Sequence, residues 1–296
     1  MFFNDRLELN KIYNENCLIG MSNIKDNSID LILCDLPYGT TQNKWDSVIP
    51  LNDYIEITVK NKIINLELKD FKIHCFENKI SVEYCLQQWN ENHKKGLWNH
   101  YKRIAKKNTA IVLFAAQPFT SQLISSNTKD FKYDWTWAKT KGTGHLNAKK
   151  QPLRDKEDIL VFYSDQCKYN PQFTGGEPYD GAKRAGNKHQ TSSYGVHGQH
   201  REVNDGKRYP RQIIKFDIVG RGSLHPTQKP IDLLEYLINT YSDKGDVVLD
   251  NCMGVGSTAV ACINTERNFI GFELDQTYYE KSNIRLNTEK RNGRLL

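Results

Sequence analysis

A strand pattern followed by an acid, a proline and an aromatic residue most constrains how this chain can fold. The apolar run of residues 29–34 is typical of a buried strand in a parallel sheet. Pro37 has no backbone N–H, so the strand must end near it, with Asp35 at its carboxyl end. Open α/β sheets bind their ligands at that edge. The carboxylate of Asp35, a carbonyl outside the ladder and the ring of Tyr38 would suit a flat ring bearing an amino group. An ordinary turn would explain the same residues.

The size and composition favour a soluble globular protein over a membrane or secreted one. With 296 residues, the chain can form one large domain or a domain with a lobe. Its apolar runs are far shorter than the roughly 20 residues of a membrane span, and no secretory signal is expected. The seven cysteines include no Cys-x-x-Cys pair, which favours reduced thiols and a cytoplasmic location. No metal site is expected.

The positive charge is concentrated in one part of the chain. The net charge is +6, and between Lys139 and Lys229 there are 17 lysines and arginines against 9 acidic residues. All of the positive excess therefore lies in this central segment. Such a concentration favours a polyanionic partner, although a solvated basic loop would look the same.

The C-terminal part carries a nucleotide-binding pattern. A strand predicted at residues 246–250 ends in Asp250 and runs through Gly254 and Gly256 into a helix. The next strand, at residues 268–273, ends in Glu273, 23 residues after Asp250. Nucleotide-binding βαβ units place a ribose-binding acid at roughly this spacing. The combination of strand, turn, helix, strand and acid favours an adenosine-bearing ligand.

Two helix starts carry polar groups of interest. A helix is predicted at residues 231–238, and Thr227 and Lys229 just before it would suit a carboxylate or phosphate; capping alone would explain Thr227. Near the N-terminus, a short strand leads into a helix that Asn16 is expected to cap.

The middle of the chain contains more strands and two irregular regions. Strands are predicted at residues 109–116, 131–137 and 158–163, with a helix at 98–105. Residues 51–92 contain strand-like runs at 55–59 and 72–76 and are interpreted as a small β-containing insertion, a structural embellishment. The basic, glycine-rich residues 139–145 are expected to form a loop. Residues 169–221 lack periodicity and mix tyrosines with basic residues, which suits nucleic-acid contact but also fits disorder.

Taken together, these motifs resemble the S-adenosylmethionine-dependent DNA amino-methyltransferases, of bacterial or phage type, in which the catalytic tetrapeptide precedes the cofactor-binding half. The resemblance covers nearly all of the chain outside the insertion. It rests on four motifs and their order: Asp35-Leu36-Pro37-Tyr38, His225-Pro226-Thr227-Gln228-Lys229-Pro230, residues 249–258 and Phe269-Ile270-Gly271-Phe272-Glu273. It implies an α/β, Rossmann-like, mostly parallel sheet flanked by helices. Leu36 and Asn251-Cys252-Met253 depart from the usual family residues, without removing a polar group that the mechanism needs.

The resemblance also implies roles for matching residues. Asp35, Pro37 and Tyr38 would hold and stack on the target base. The residues expected at the cofactor are Asn16, Cys17, Asp35, His225, Thr227, Gln228, Lys229, Asp250, Met253, Gly254, Gly256, Ser257, Thr258, Glu273 and Leu274. The residues expected at DNA are Lys139, Lys141, Lys149, Lys150, Arg154, Tyr194, Arg208 and Arg211.

The implied division has a catalytic half (1–50 and 93–166), the insertion (51–92), a target-recognition segment (167–224) and a cofactor half (225–296). The implied reaction is methylation of a flipped-out adenine at N6 in duplex DNA, since an aspartate heads the tetrapeptide; cytosine N4 is the alternative. An RNA or protein amide methyltransferase, a nucleotide-binding oxidoreductase and a silent DNA-binding module are less consistent rivals. A second copy of the chain and a cognate restriction endonuclease are further candidate partners.

Overall fold

The computed structural model describes residues 2–4, 7–41, 43, 46–59, 62–180, 190–191, 195–196, 203–220 and 222–291. Two compact units are present, Met1–Tyr169 together with Gln212–Leu296, and Asn170–Arg211. The helices are α1 (Cys17–Ser22), α2 (Leu68–Glu77), α3 (Val82–Asn92), α4 (Leu97–Ile104), α5 (Phe119–Ser126), α6 (Ile231–Tyr241), α7 (Ser257–Asn264) and α8 (Gln276–Arg291). No helix among the described residues is long and apolar enough to cross a membrane.

The strands are numbered in chain order. They are β1 (Phe2–Asn4), β2 (Leu7–Glu8), β3 (Lys11–Tyr13), β4 (Ile29–Asp35), β5 (Tyr54–Val59), β6 (Lys62–Glu67), β7 (Ala105–Ala115), β8 (Phe131–Thr143), β9 (Arg154–Phe162), β10 (Thr174–Gly175), β11 (Tyr179–Asp180), β12 (Gln190–Thr191), β13 (Gly195–Val196), β14 (Val203–Asn204), β15 (Lys207–Arg208), β16 (Ile213–Phe216), β17 (Val247–Asp250) and β18 (Asn268–Phe272).

Eight strands form the main sheet of the larger unit, in the order β16-β8-β9-β7-β4-β17-β18-β3. Every neighbouring pair is parallel except the two pairs that involve β9. The predicted α/β fold with a mixed, mostly parallel sheet is confirmed. Because the other strands share one direction, their carboxyl ends, including Asp35 on β4, gather at one edge.

Helices cover both faces of this sheet. Along β4, Leu31 and Leu33 pack into the core shared with α6 and α7, whereas Ile32 and Cys34 pack into the core shared with α1 and α4. All four are 0–1% exposed. Burial of such aliphatic side chains contributes roughly 1.5–3 kcal/mol each. A continuous apolar run is therefore what a strand covered on both faces requires.

The insertion is only partly the β structure that its pattern predicted. Strands β5 and β6 form an antiparallel hairpin, but residues 72–76, predicted as a strand, lie within α2. Phe71 and Cys75, four residues apart on one face of α2, pack with Ile55 of the hairpin. The apparent alternation was misleading because Phe76 points outward and is 84% exposed.

Two further interpretations of the sequence differ from the structure, one at the end of β8 and one at β16. Residues 139–143, predicted as a loop, continue β8, so the connection to β9 comprises only residues 144–153. Residues 213–216, within the aperiodic segment, form β16 and pair in parallel with β8. The short apolar stretch at Ile213 and Ile214 was too brief to indicate an edge strand.

The smaller unit, Asn170–Arg211, contains short antiparallel strand pairs, β10 with β15, β11 with β14 and β12 with β13. Gly206 has a φ of +101°, and a Cβ there would lie 2.4 Å from the carbonyl oxygen of Gly176. Only glycine fits this approach. The guanidinium of Arg208 lies 5.0 Å from the centre of the Tyr179 ring.

Candidate active site

A cavity of about 610 Å³ opens at the carboxyl edge of the sheet. This volume is typical of sites for small molecules. All three residues expected to be catalytic line it, as does every residue expected at the cofactor except Gly256. Gly256 has a φ of +77° and precedes the first residue of α7, so its part is to form the turn.

The turn after β17 and the end of β18 form one wall of the cavity. The Glu273 carboxylate accepts hydrogen bonds from the backbone N–H of Gly254 (2.7 Å) and of Asp275 (2.8 Å). Burial nevertheless raises the pKa of Glu273 above its usual value. Since each carboxylate oxygen has two acceptor positions, Glu273 keeps capacity for ligand hydroxyls.

Asp250 lies deeper in the same wall. Its Oδ1 accepts a hydrogen bond from the backbone N–H of Cys252 at 3.0 Å, and the side chain is buried. Burial raises its pKa to about 6. Asp250 is therefore an acid whose ionisation is costly, which a cationic ligand would offset.

Asn251 and Cys252, which depart from the usual family residues, lie in a satisfied polar cluster. The Nδ2 of Asn251 donates to the sulfurs of Cys252 (3.5 Å) and Cys17 (3.7 Å), and its Oδ1 accepts from the hydroxyl of Tyr101 (2.5 Å). Burial contributes to raising the pKa of Cys34 to about 12, and the pKa values of Cys17 and Cys252 are raised as well, so these thiols stay protonated. Both polar atoms of the Asn251 side chain therefore have partners.

Asp35 and Tyr38 meet at the end of β4, the strand next to β17. The hydroxyl of Tyr38 donates to Oδ1 of Asp35 at 2.8 Å, and the ring stacks on Phe119 with 5.3 Å between centroids. The loop that follows is held by Asp46, which accepts from the backbone N–H of Gly39 (2.8 Å), Thr40 (2.9 Å) and Thr41 (2.7 Å).

Asp46 was not recognised from the sequence as part of the site. Burial favours its neutral form, but the backbone donors prevail and hold its pKa below the usual value. An acid a few residues after a Gly-Thr-Thr sequence is the signal that could have indicated this turn.

Lys229 occupies a place that the sequence did not predict. Its ammonium donates to Oδ2 of Asp35 and lies 3.3 Å from Oε2 of Glu157. Glu157, on β9, also accepts from Lys139. No sequence pattern marks Glu157 as a site residue. It comes near Asp35 only because β9 is two strands away from β4 in the sheet, with β7 between them.

The other residues before α6 are closely packed around His225. Thr227 approaches Nδ1 of His225 with both its N–H (3.2 Å) and its hydroxyl (3.0 Å), and the imidazole lies against Tyr278. Burial lowers the pKa of His225, so it is neutral at pH 7. Thr227 does not cap α6, whose first turn follows Pro230 without a side-chain cap. The cap predicted for Asn16 is confirmed, since its side chain accepts from the N–H of Leu18 at 2.9 Å.

The insertion, interpreted as an embellishment, contributes to the cavity wall. Tyr54, Glu56 and Asn65 line the cavity, and Glu56 and Asn65 are paired across the hairpin. Residues 55, 57 and 66 point to the other face and pack with α2 and α3. The alternation of the strands thus gives the hairpin one structural face and one face on the site.

The residues expected at DNA divide into three groups. Lys141, Lys149, Lys150, Arg154 and Arg211 are exposed, and the first four lie on or beside the β8–β9 connection, at the same sheet edge as Asp35. The Lys139 side chain is 10% exposed and bound to Glu157, and Arg208 donates to Asn204 and to the carbonyl of Glu177. Tyr194 lies outside the described residues.

Comparison with known proteins agrees with this geometry. Residues 29–284 match the DNA methylase family of N6 and N4 enzymes. The type II methyltransferase M1.MboII of Moraxella bovis is 26% identical over 95% of this chain and 98% of its own length. The type II methyltransferase M.HindIII of Haemophilus influenzae is 24% identical over 95% of this chain and 96% of its own length.

Solved structures share the fold. The complex of M1.HpyAVI with SAM is 20% identical, covers 94% of this chain and 98% of that chain, and has a TM-score of 0.53. The cytosine-N4-specific PvuII DNA methyltransferase is 13% identical, covers 93% of this chain and 85% of that chain, and has a TM-score of 0.56. The chain therefore belongs to the N6/N4 DNA methylase family, the DNA amino-methyltransferases whose methyl donor is S-adenosylmethionine.

Proposed function

We propose that this enzyme methylates N6 of an adenine that is flipped out of duplex DNA. The observation that carries the proposal is the shared cavity. Asp35 and Tyr38, suited to an amino-bearing ring, open into the same space as Glu273 and the Gly254 turn, suited to an adenosine-bearing cofactor. A base inside a duplex cannot reach such a cavity, so it must be extruded at a cost of a few kcal/mol.

The cofactor fits the wall formed by β17 and β18. Glu273 would bind the ribose hydroxyls, and Asp250 would lie near the methionine portion with Met253, Ser257 and Thr258, all of which line the cavity. The buried acid Asp250, with its pKa raised to about 6, matches the cationic character of the ligand. When bound, S-adenosylmethionine supplies an electrophilic methyl group.

The chain's own residues would activate the amine without a covalent intermediate. Asp35 and a backbone carbonyl near Pro37 accept hydrogen bonds from the amine, which favours a pyramidal nitrogen whose lone pair is free to attack. The carboxylate stabilises positive charge as it develops on nitrogen and can receive the proton that nitrogen then loses. Tyr38 would stack on the base, and holding both reactants in place can lower the barrier by roughly 7–11 kcal/mol.

The choice of adenine rests on the aspartate at the head of the tetrapeptide, since cytosine-N4 enzymes more often carry serine there. Cytosine N4 stays the second candidate, because its amine is chemically equivalent and the fold also occurs in the cytosine-N4-specific PvuII enzyme. Both bases present an amino group to Asp35 in the same way.

Recognition of DNA is assigned to residues 167–224 and to the basic β8–β9 connection. The exposed Lys141, Lys149, Lys150 and Arg154 would contact phosphates, and Arg211 and Tyr194 would act from the recognition segment. Residues 1–50 with 93–166 would form the catalytic half and 225–296 the cofactor half, with 51–92 as the insertion between them. A cognate restriction endonuclease is a candidate functional partner, since the relatives are type II methyltransferases. A second copy of the chain is a further candidate partner.

Labelled methyl transfer tests the proposal. Wild-type enzyme is incubated with S-adenosylmethionine labelled in the methyl group and unmethylated duplex DNA, and the nucleosides are then separated. We expect the label in N6-methyladenine. Label in N4-methylcytosine would overturn the base assignment and keep the mechanism, whereas label in RNA or protein but not in DNA would overturn the substrate class.

A further inference from the structure

A network of four charges, with its two lysines the more deeply buried, connects three strands at the edge of the cavity. Lys229 lies between Asp35 of β4 and Glu157 of β9, and Lys139 of β8 closes the network on Glu157. The side chains of Lys229 and Lys139 are 8% and 10% exposed. Two carboxylates and two ammonium groups balance, as buried charges must.

The network controls the group that the proposed function uses. Burial and the neighbouring charge of Glu157 raise the pKa of Asp35, and the ammonium of Lys229 opposes both. Without Lys229, the carboxyl of Asp35 would keep its proton to a higher pH. A protonated carboxyl is a poorer acceptor for the amine of a base, because one of its oxygens becomes a donor.

Glu157 in turn stabilises the charged form of Lys229. Its Oε2 is buried without a hydrogen-bond partner among the described residues, and the ammonium of Lys229 is the charged group beside it, at 3.3 Å. Burial alone would lower the pKa of Lys229, but the two carboxylates raise it above the usual value. The position of Glu157 therefore keeps Lys229 charged next to Asp35.

Building on the proposed function, we propose that Lys229 and Glu157 are positioning residues for methyl transfer: Glu157 anchors Lys229, and Lys229 keeps Asp35 ionised and aimed at the amine. The cofactor contact expected for Lys229 from the resemblance is replaced by this role. Tyr38 completes the arrangement by donating to the other oxygen of Asp35 at 2.8 Å.

The test compares single-turnover rates of methyl transfer against pH. For Lys229→Met, we expect at least a tenfold loss at pH 7 that is recovered as the pH rises and Asp35 ionises, with cofactor and DNA affinities within twofold of wild type. Lys229→Arg keeps the charge and should restore the wild-type pH profile. Glu157→Gln should lose rate at every pH without a shift of the profile to higher pH, because Lys229 is then less firmly held.

The chain offers a matched control. Lys106 donates to both carboxylate oxygens of the buried Asp30 (2.7 and 2.8 Å), on the same strand as Asp35 but about 16 Å away at its other end. Lys106→Met therefore removes an ammonium from a buried aspartate without touching the cavity. We expect lower thermal stability and an unchanged pH profile.

A readout without substrate separates this inference from the proposed function. The carboxyl signal of Asp35, assigned in ¹³C-aspartate-labelled protein through Asp35→Asn, should titrate at higher pH in Lys229→Met than in wild type. If wild type transfers no methyl to DNA, the proposed function fails while this titration still tests the network. An unchanged titration, or a tenfold loss of cofactor affinity with an unchanged rate at saturation, would overturn the inference.

Discussion

At the scale of single residues, the sequence predicts candidate reactive groups but not the side chains that surround them. The place of Asp35 at a strand end follows from Pro37 and the apolar run before it. The pairing of Asp35 with Lys229, and of Lys229 with Glu157, does not follow, because Glu157 reaches the site only through the strand order. Charge pairing of this kind depends on distances in the folded protein that linear spacing does not encode.

Asp250 gives a prediction for pH-dependent stability. Its pKa is near 3.8 in the unfolded chain and about 6 in the folded protein. Between these values the folded state binds more protons than the unfolded state, so the stability of the ligand-free enzyme falls as pH rises from about 4 to 6 and the loss persists above 6. The loss is of order 3 kcal/mol at most.

The measurement is thermal unfolding of wild type and Asp250→Asn without cofactor from pH 4 to pH 8. Asparagine keeps the acceptor for the N–H of Cys252 but does not ionise. The melting temperature of the variant minus that of wild type should therefore rise between pH 4 and 6 and then level off. In a separate titration, the variant should bind the cofactor more weakly than wild type. A difference that does not depend on pH would show that Asp250 is not the titrating group.

At the scale of secondary-structure elements, strands with continuous apolar runs are predictable and short or edge elements are not. β4, β7 and β17 are buried on both faces, which gives them an unambiguous pattern. In contrast, residues 72–76 of α2 were predicted as a strand because these five residues alternate by chance. The strand β16 was not predicted because it is only four residues long. Tertiary packing, which the local pattern does not contain, decided both.

The hairpin of the insertion gives a prediction at this scale. Asn65 lines the cavity, and Thr58 lies on the same face of the hairpin, is exposed and is not among the lining residues. We expect Asn65→Ala to weaken cofactor affinity by about 2–10-fold, the worth of one hydrogen bond, and Thr58→Ala to leave it unchanged. Calorimetric titration with S-adenosylmethionine measures both. Equal affinities for Asn65→Ala and wild type would show that Asn65 of the hairpin does not contact the cofactor.

At the scale of the whole molecule, the sequence located the basic surface near the cavity better than it located the ends of the smaller unit. The basic excess between Lys139 and Lys229 includes exposed side chains on the β8–β9 connection, at the edge where the cavity opens. The compact unit Asn170–Arg211 is shorter at both ends than the predicted recognition segment, residues 167–224. At the C-terminal end the difference arises because Ile213–Phe216 form β16 of the main sheet. A segment without hydrophobic periodicity has little regular structure, but it can still contain a short strand such as β16.

The basic connection predicts how DNA binding depends on salt. Replacing Lys149 and Lys150 together with alanine should weaken binding to any DNA sequence and reduce the slope of log K against log salt by about 1–2. Lys244 is also exposed but lies before β17, at the opposite edge of the sheet, and Lys244→Ala should leave the slope unchanged. Binding is measured at several salt concentrations by fluorescence anisotropy. A double variant with the wild-type slope would place these lysines outside the DNA interface.

The account as a whole depends on Asp35 acting on the amine of a DNA base rather than on the cofactor. The most direct measurement is methyl transfer to duplex DNA by Asp35→Asn, alongside calorimetric binding of S-adenosylmethionine to the same variant. Because asparagine keeps the shape but not the charge, we predict a rate at least about 100-fold below wild type, with cofactor affinity within threefold. A variant that binds no cofactor, or one that transfers methyl groups at the wild-type rate, would contradict the account.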